Sequence, residues 1–376
     1  MATIVIVASY APSLVNFRGK LIKAIVEKGH KVIACAPDFT SENIDQVQEL
    51  GAETRTIPLQ RDGQNIVEDI RFLFAVWKLL RVEAPDLLIT YTIKPNIWGA
   101  YAAWVASVPS IAMITGLGYA FTDTGVTPNF KTRIVRRMVR ILYRFSTSAN
   151  WKIIFQNPDD PKDFSRAGCL GDMSKAHIVA GSGVDLEKFT PSPLPDCNRD
   201  GQVFLMISRL LFNKGVVEFA RASIEVKKAH PKVRFILVGP RDYGPDGIPE
   251  GLLDEWRANG LEYEGAKKDV RKNLKECSVF VLPSYREGTP RAVLEAMASQ
   301  RPVIVTDTPG CRETVDDNVN GYLVPPRDSD ALARRMLDLL DINKAERFGI
   351  ESLRLVRERF DVEKVNKAVL HILELD

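Results

Sequence analysis

The chain is poor in the residues that metal and redox chemistry require. Its 376 residues include five cysteines and four histidines. Cys35, Cys169, Cys197, Cys277 and Cys311 are odd in number, scattered and without C-x-x-C spacing. That excludes a disulfide frame or a zinc ribbon and reads as reduced thiols in a cytoplasmic protein. No two histidines stand at metal-ligand spacing, and no Asp-x-Asp pair is suited to a divalent cation, so neither metal nor bound cofactor is expected. The first strand-to-helix turn lacks G-x-G-x-x-G, which excludes the dinucleotide fingerprint of a dehydrogenase. A net charge of +3 is too small to argue for nucleic acid. The short apolar run Thr3–Ser9 has no basic stretch before it and does not read as a signal peptide. Short repeats and low-complexity tracts are also absent.

One passage is long enough and apolar enough to raise the membrane question. From Pro95 to Thr122 there is no charge. Pro109 interrupts the run, Gly99 and several alanines dilute it, and Gly116 and Gly118 close it. It reads as a buried helix (96–106), a buried strand (110–114) and a glycine loop rather than a span.

What is present is an alternation of strands and helices. Strands are predicted at 4–9, 31–35, 53–59, 86–91, 110–115, 152–156 and 175–180, with helices at 14–28 (Ser13 as N-cap), 66–82, 96–106 and 129–148. After the proline-rich stretch 190–195, which reads as a linker, the pattern resumes with strands at 203–208, 233–238, 262–264, 279–282 and 303–306. The closing helices are predicted at 329–340, 344–359 and 362–374. Such alternation argues an α/β protein of two doubly wound parallel sheets, and its length favours two domains over one. The division expected is 1–189, 190–360, and a final helix over 361–376. Ligands of such sheets bind beyond the carboxyl ends of the strands.

Two of those ends carry the chemistry. The predicted strand 279–282 leads into Pro283-Ser284-Tyr285-Arg286-Glu287-Gly288-Thr289-Pro290 and then a helix. A turn entering a helix N-terminus presents backbone N–H groups and a positive dipole end, which suits a diphosphate. Glu287 lies at the lip of that turn, and Glu295 follows about two helical turns on, nearly on the same face. Carboxylates there can accept from sugar or ribose hydroxyls. The strand 203–208 leads into Ser208-Arg209-Leu210-Leu211-Phe212-Asn213-Lys214-Gly215. Arg209 offers a planar fork and Lys214 a compact charge, able together to bracket two phosphates.

Glu287 to Glu295 reads E-G-x-P-x-x-x-x-E, which resembles the E-x7-E signature of the retaining glycosyltransferases of family 4. Arg209 and Lys214 match the family's phosphate clamp, and the resemblance covers nearly the whole chain. It implies the GT-B fold, two Rossmann-like domains facing a central cleft, with the last helix packing back on the first domain. It implies Arg209, Lys214 and Glu287 as catalytic residues. Gly288, Thr289, Pro290, Arg291, Val293, Leu294 and Glu295 would bind the donor, Glu295 at the ribose, with Gly239, Lys267 and Val270 nearby. Asn16, Arg18, Lys94, Thr115, Gly116, Gly118 and Tyr119 are the acceptor candidates, and a solvated helix position stands as the alternative for Arg18. The sequence departs from many relatives in lacking two glycines in its first loop and a histidine near Gly116, so no protein acid or base is assigned.

Ile93-Lys94-Pro95-Asn96 and Ile114–Tyr119 are similar to the subgroup acting on undecaprenyl-diphosphate-linked saccharides, often with UDP-N-acetylhexosamines. Between Lys131 and Lys152, both included, stand seven basic residues and no acid. Arg133, Arg136, Arg137, Arg140 and Arg144 fall within about 100° of a helical wheel. Ile134, Met138, Ile141, Leu142 and Phe145 are expected to take the opposite side, buried on the sheet. The basic face fits an anionic membrane surface. The expectation is a metal-independent transferase, peripheral to the inner face of the cytoplasmic membrane. It would move a hexose or N-acetylhexosamine from a UDP-sugar, UDP-GalNAc or UDP-GlcNAc favoured, to a polyprenyl-diphosphate-linked acceptor in surface-glycan assembly. A UDP-sugar 2-epimerase of the same architecture is the alternative, disfavoured by scarce histidine; a silent nucleotide-sugar-binding module is the non-enzyme alternative.

Overall fold

A computed structural model of the chain describes residues 1–60, 65–118, 121, 130–196 and 201–376. The chain forms two compact units. The first runs up to Ser182 and regains Glu363–Asp376; the second spans Gly183–Val362.

The first unit carries β1 (Thr3–Val7), α1 (Ala11–Glu27), β2 (Lys31–Ala36), α2 (Ser41–Glu49), β3 (Glu53–Thr56), α3 (Ile66–Glu83) and β4 (Leu87–Tyr91). A π-helical turn (Pro95–Gly99), α4 (Ala100–Ala106), β5 (Ser110–Ile114), α5 (Phe130–Ala149), β6 (Lys152–Phe155), α6 (Asp159–Arg166) and β7 (Ala176–Ile178) follow. Its strands form a seven-stranded sheet in the order β3-β2-β1-β4-β5-β6-β7. Every recorded pairing is parallel. Strands such as Leu87–Tyr91 are buried at every position because both faces of the sheet are covered. On one face α1 packs with Val365, Val369, Leu370 and Leu373 of the last helix, α13 (Val362–Leu373). On the other lie α3 and α4, then Tyr143 of α5 and Phe164 of α6.

The second unit carries β8 (Val203–Ile207), α7 (Val216–Ala229), β9 (Arg234–Val238), α8 (Glu250–Ala258), β10 (Leu261–Tyr263), α9 (Arg271–Glu276), β11 (Val279–Leu282) and α10 (Arg291–Ala298). β12 (Val303–Thr306), β13 (Gly321–Val324), α11 (Ser329–Asp338) and α12 (Ile342–Arg359) complete it. Its six parallel strands run β10-β9-β8-β11-β12-β13. The uncharged passage resolves as read: the π turn and α4, then the fully buried β5. No helix among the described residues is long and apolar enough to cross a membrane.

Several local expectations need correction. Ser13 is not the cap of α1. The helix starts at Ala11 with Tyr10 as N-cap, and the Ser13 hydroxyl turns back to the Tyr10 carbonyl at 2.5 Å. Ala11 N–H instead finds Asp38 Oδ1 at 2.8 Å. α2 and β13 were missed. α2 is mostly polar and buries only Asn43 and Val47, so its periodicity is faint. β13 begins at Gly321, whose added Cβ would stand 1.9 Å from the Val303 carbonyl oxygen. A glycine start hides the strand, but only glycine lets the two backbones come so close.

The proline-rich segment is not a free linker. Arg301, fully buried, donates from Nη1 to the Ser192 carbonyl at 2.8 Å and from Nη2 to Ser192 Oγ at 2.7 Å. It also reaches the carbonyls of Leu274 (2.8 Å) and Lys275 (3.0 Å). The nearby crossing at Val184 pairs with the returning chain: Val184 N–H donates to Phe360 O at 2.9 Å and Val362 N–H to Val184 O at 3.1 Å. Arg301→Leu would leave those acceptors without a donor. Since each orphaned buried group costs about 1–3 kcal/mol, we expect a loss of about 3 kcal/mol or more, read as a lowered midpoint in urea unfolding.

Candidate active site

In the second sheet the strand order reverses between β8 and β11, which are paired neighbours. From this switch point the chain winds outward in both directions, leaving a crevice at the strand ends. Two loops flank it, 208–215 after β8 and 283–290 after β11, and they are stitched together. Tyr285 N–H donates to the Asn213 carbonyl at 2.9 Å, and Ser284 Oγ to the same carbonyl at 3.3 Å. Gly215, at φ +74°, lies so close that an added Cβ would stand 2.0 Å from the Pro283 carbonyl oxygen. The stitching places Lys214 Nζ 2.5 Å from Glu287 Oε1, with both side chains largely buried. Lys214 and Glu287, predicted from separate motifs 73 residues apart, therefore meet.

The turn at Glu287 is itself braced from β12. Glu287 N–H donates to Pro309 O at 3.0 Å. An added Cβ on Gly310, at φ +83°, would stand 2.4 Å from the Glu287 carbonyl oxygen. The Thr306 and Thr308 hydroxyls both donate to the Ser284 carbonyl. Tyr285 O–H donates to Glu218 Oε1 at 2.7 Å, and burial pushes the phenol pKa up. None of Gly310, Thr306, Thr308 or Glu218 was picked from sequence; Thr308-Pro309-Gly310 was a visible turn signal after a predicted strand.

Arg209 leaves the same strand end but is half exposed, its Nη1 3.5 Å from Asp242 Oδ2. Asp246 lies nearby and accepts from Asn213 N–H at 3.4 Å. Burial, with the Asp242 charge beside it, raises the Asp246 pKa, while Arg209 and Lys214 act in the opposite sense. Asp242 and Asp246 were missed because Pro240–Pro249 reads as a plain turn-rich loop. Gly239, at φ +149°, passes so near β8's end that a Cβ would stand 1.8 Å from the Ser208 carbonyl oxygen.

α10 begins at Arg291, with Pro290 as an N-cap that supplies no capping side chain. Gly288, Thr289 and Arg291 line this entry. Val293 and Leu294 do not present side chains to a ligand: both are core residues, and their N–H groups bond Pro290 O at 3.0 and 3.3 Å. Glu295 Oε1 stands 3.0 Å from Arg291 Nε. Burial raises the Glu295 pKa, opposed by Arg291 and then by Lys188. Lys188, from the stretch entering the second unit, is thus a cation near Glu295 that sequence reasoning left unassigned. Lys267 pairs with Glu264 Oε2 at 2.5 Å, and Val270 is the N-cap of α9.

In the first unit the switch point falls between β1 and β4. Arg18 is buried, its guanidinium carbon 5.1 Å from the Tyr91 ring centre, so the solvated alternative is overturned. Tyr91 Oη and Ser13 Oγ are 3.1 Å apart. Asn16 is exposed one turn away. Lys94 is held inward by Asp69 Oδ1 and the Gln60 carbonyl, each at 2.8 Å. Thr115 follows the end of β5, and Gly116 and Gly118 take positive φ, 121° and 67°. Tyr119 lies outside the described residues.

The basic helix departs from its expected packing. Arg133, Arg137, Arg140 and Arg144 are exposed and Arg136 half-buried. Yet Ile134, Met138, Ile141 and Phe145 are exposed too, at 44–58 %. At about 100° per residue these four lie beside the arginine stripe, not opposite it. The face turned to the sheet is Tyr143, Ser146 and Thr147, with Thr147 Oγ1 donating to Cys169 O at 2.5 Å. Arg133, Arg136, Arg137 and Arg140, with Phe130 and Ile134, line a cavity of about 490 Å³.

Chemically, Lys214 and Glu287 meet at the switch point of the second unit, with Arg209 leaving the same β8 end and a helix N-terminus following, an arrangement suited to a departing diphosphate whose negative charge grows during reaction. Residues 201–341 match the family described as Glycosyl transferases group 1, and residues 16–149 the Glycosyl transferase 4-like domain. The chain is 29% identical over 343 residues to N,N'-diacetylbacillosaminyl-diphospho-undecaprenol alpha-1,3-N-acetylgalactosaminyltransferase of Campylobacter jejuni, covering 88% of each. It is also 29% identical over 287 residues to UDP-Gal:alpha-D-GlcNAc-diphosphoundecaprenol alpha-1,3-galactosyltransferase of Escherichia coli, covering 74% of this chain and 72% of that one. Among solved structures, Anabaena HepE in complex with UDP and glucose superposes over 100% of both chains at a TM-score of 0.78 and 17% identity. Sucrose-phosphate synthase from Thermosynechococcus elongatus does so at 0.80 and 19%, covering 100% of this chain and 98% of that one. The architecture is the GT-B fold.

Two expectations follow from the geometry. Because burial raises the Glu295 pKa, the neutral form is favoured on folding, and its contribution to stability fades as pH rises through the folded-state value. Glu295→Gln should therefore stabilise the ligand-free protein at pH 7, with the gain shrinking toward pH 4, as followed by thermal unfolding. Gly215→Ala should separate the two loops and lower turnover by about tenfold or more, since small misplacements of reacting groups cost that much or more. Steady-state kinetics on the purified variant checks it.

Proposed function

We infer that this chain, which belongs to the glycosyltransferases of family 4, moves a sugar from a UDP-sugar to a polyprenyl-diphosphate-linked saccharide with retained anomeric configuration. The observation that carries the reading is the meeting of Lys214 and Glu287 at the switch point of the second sheet, with Arg209 leaving the adjacent strand end. The donor preference proposed is an N-acetylhexosamine, UDP-GalNAc or UDP-GlcNAc, and the setting is assembly of a bacterial surface glycan. The Campylobacter relative, named as an N-acetylgalactosaminyltransferase with a diphospho-undecaprenol acceptor, supports the donor preference and the lipid-diphosphate acceptor.

Arg209 and Lys214 take the two phosphates, and the N-terminus of α10 faces the charge that develops on them. Glu287 accepts from donor-sugar hydroxyls and Glu295 from the ribose. As the bond from the anomeric carbon to the UDP oxygen breaks, the acceptor hydroxyl oxygen bonds that carbon on the same face, and its proton passes to a donor phosphate oxygen. Fixed cations supply the charge that a divalent metal would otherwise bring, so a chelator is expected to leave the rate unchanged. Arg18, Asn16, Gly116 and Gly118 are the acceptor-side candidates; Lys94, already paired with Asp69, is the weakest of that set. The protein is proposed to work at the inner face of the cytoplasmic membrane, where the α5 arginines meet anionic headgroups at roughly 1 kcal/mol per charge.

The test is UDP release from a panel of UDP-sugars with and without a short-chain lipid-diphosphate saccharide. Acceptor-dependent release and an α-linked product by NMR support the reading. A new UDP-sugar formed without acceptor would establish epimerisation instead, and binding without turnover a silent module. Arg209→Ala and Lys214→Ala are each expected to lose about 2–4 kcal/mol of transition-state stabilisation, like the loss of one oxyanion donor. That is a rate fall of about a hundredfold or more, and a near-wild-type rate in either variant rejects the clamp.

A further inference from the structure

The α5 stripe is not the only apolar surface left open on that side of the first unit. On α3 the inward face is Phe72, Val76 and Leu80. Ile66, Ile70, Phe74 and Trp77, at i, i+4, i+8 and i+11, form a second stripe that remains exposed, Phe74 at 60 %. Trp104 and Val105 of α4 are exposed at 69 % and 59 %. α4 packs against both α3 and α5, and all three helices cover the same face of the sheet. The result is one apolar face across three adjacent helices, where scattered single exposed residues would need no explanation but a contiguous patch does.

Its charges choose the occupant. α5 has no acid, and α4 has no charge. On α3, Asp69 is drawn to Lys94, Glu83 to Arg55 and Glu68 to Arg71, while Lys78 and Arg81 are exposed. A second copy of the chain would bring a like basic rim against this one; an anionic bilayer brings the opposite charge together with an apolar interior. Tryptophan and phenylalanine flanked by arginine and lysine is the composition of a helix lying in the interface plane.

We propose that α3 and α4 form, with α5, a single lipid-docking face, in which Phe74, Trp77 and Trp104 enter the headgroup boundary while the α5 arginines hold the phosphates. The proposal rests on the reading that the acceptor is held in a membrane, and its test uses neither donor nor acceptor. Full-length protein is floated with vesicles of phosphatidylglycerol and phosphatidylethanolamine, at low and high salt. Phe74→Ser/Trp77→Ser is expected to weaken partitioning by about tenfold or more at both salt levels, because an apolar contribution is not screened. Arg137→Gln/Arg140→Gln should weaken it mainly at low salt. Bromine on the lipid acyl chains should quench wild-type tryptophan emission, and less so in Trp77→Phe/Trp104→Phe, a conservative pair that keeps the fold. Wild-type partitioning by the α3 variant, equal quenching in the tryptophan variant, or a wild-type dimer that the α3 variant disperses would each overturn the proposal. Vesicle binding as expected without acceptor-dependent UDP release would instead sink the transferase reading and leave the surface standing.

Discussion

The second unit is organised around one contact, the pairing of Lys214 with Glu287. Neither residue could hold this position by itself. Lys214 ends a short turn whose next residue, Gly215, lies against the Pro283 carbonyl; Glu287 sits on a turn supported from below by Gly310. Each support requires a backbone without a side chain, because any Cβ would overlap a carbonyl oxygen. Once the loops are locked, the ammonium and carboxylate need little further ordering, so the side-chain entropy that makes surface ion pairs weak has been spent by the fold. A partly buried pair also cannot lose one member cheaply, because the survivor keeps its desolvation cost. The pair is therefore both a consequence of the switch-point topology and a brace for it.

Much of this was legible from residue order. Apolar runs bounded by glycine and proline gave the strands, and strand-then-helix alternation gave parallel sheets. Lys214 and Glu287, each just beyond the end of a strand legible from residue order, are the expected pair that the structure brings together. What sequence could not give is which residues a backbone approach brings in from the side. Gly310, Thr306 and Thr308 matter because β12 lies next to β11, a fact of strand order rather than of local pattern. Asp242 and Asp246 matter because the loop after β9 folds toward the end of β8. Arg301 is further from legibility still. A basic residue in a short connection reads as solvated, whereas here it is fully buried among main-chain carbonyls.

The α5 misreading has a different origin. A helical wheel divides residues into apolar and charged, and the apolar side is assumed to be the buried one. Ser146 and Thr147, small and polar, were not counted toward any buried face, yet they allow a close approach to the sheet and to the Cys169 carbonyl. Tyr143 completes that contact through Phe164, at 4.8 Å between ring centres. The long apolar residues are displaced sideways, next to the arginines. A helix of this kind has three faces rather than two: one packed, one cationic and one apolar but open. In water that third face is a standing cost, and open apolar residues recur on α5, α4 and α3.

The two cations proposed to take the diphosphate are held differently, and the difference bears on how a donor would enter. Lys214 is mostly buried and tightly held at 2.5 Å, whereas Arg209 is half exposed and 3.5 Å from Asp242. A loosely held guanidinium can exchange a single carboxylate oxygen for a bidentate phosphate at little cost, and the planar fork gains geometry in the exchange. Lys214, by contrast, gains no mobility by releasing Glu287; it can add a phosphate oxygen to its remaining donors while keeping the carboxylate. On this reasoning Arg209 is the part that moves and Lys214 the part that stays. Burial above all, and then the Asp242 charge beside it, raise the Asp246 pKa against Arg209 and Lys214, so a guest that drew those cations away would raise it further.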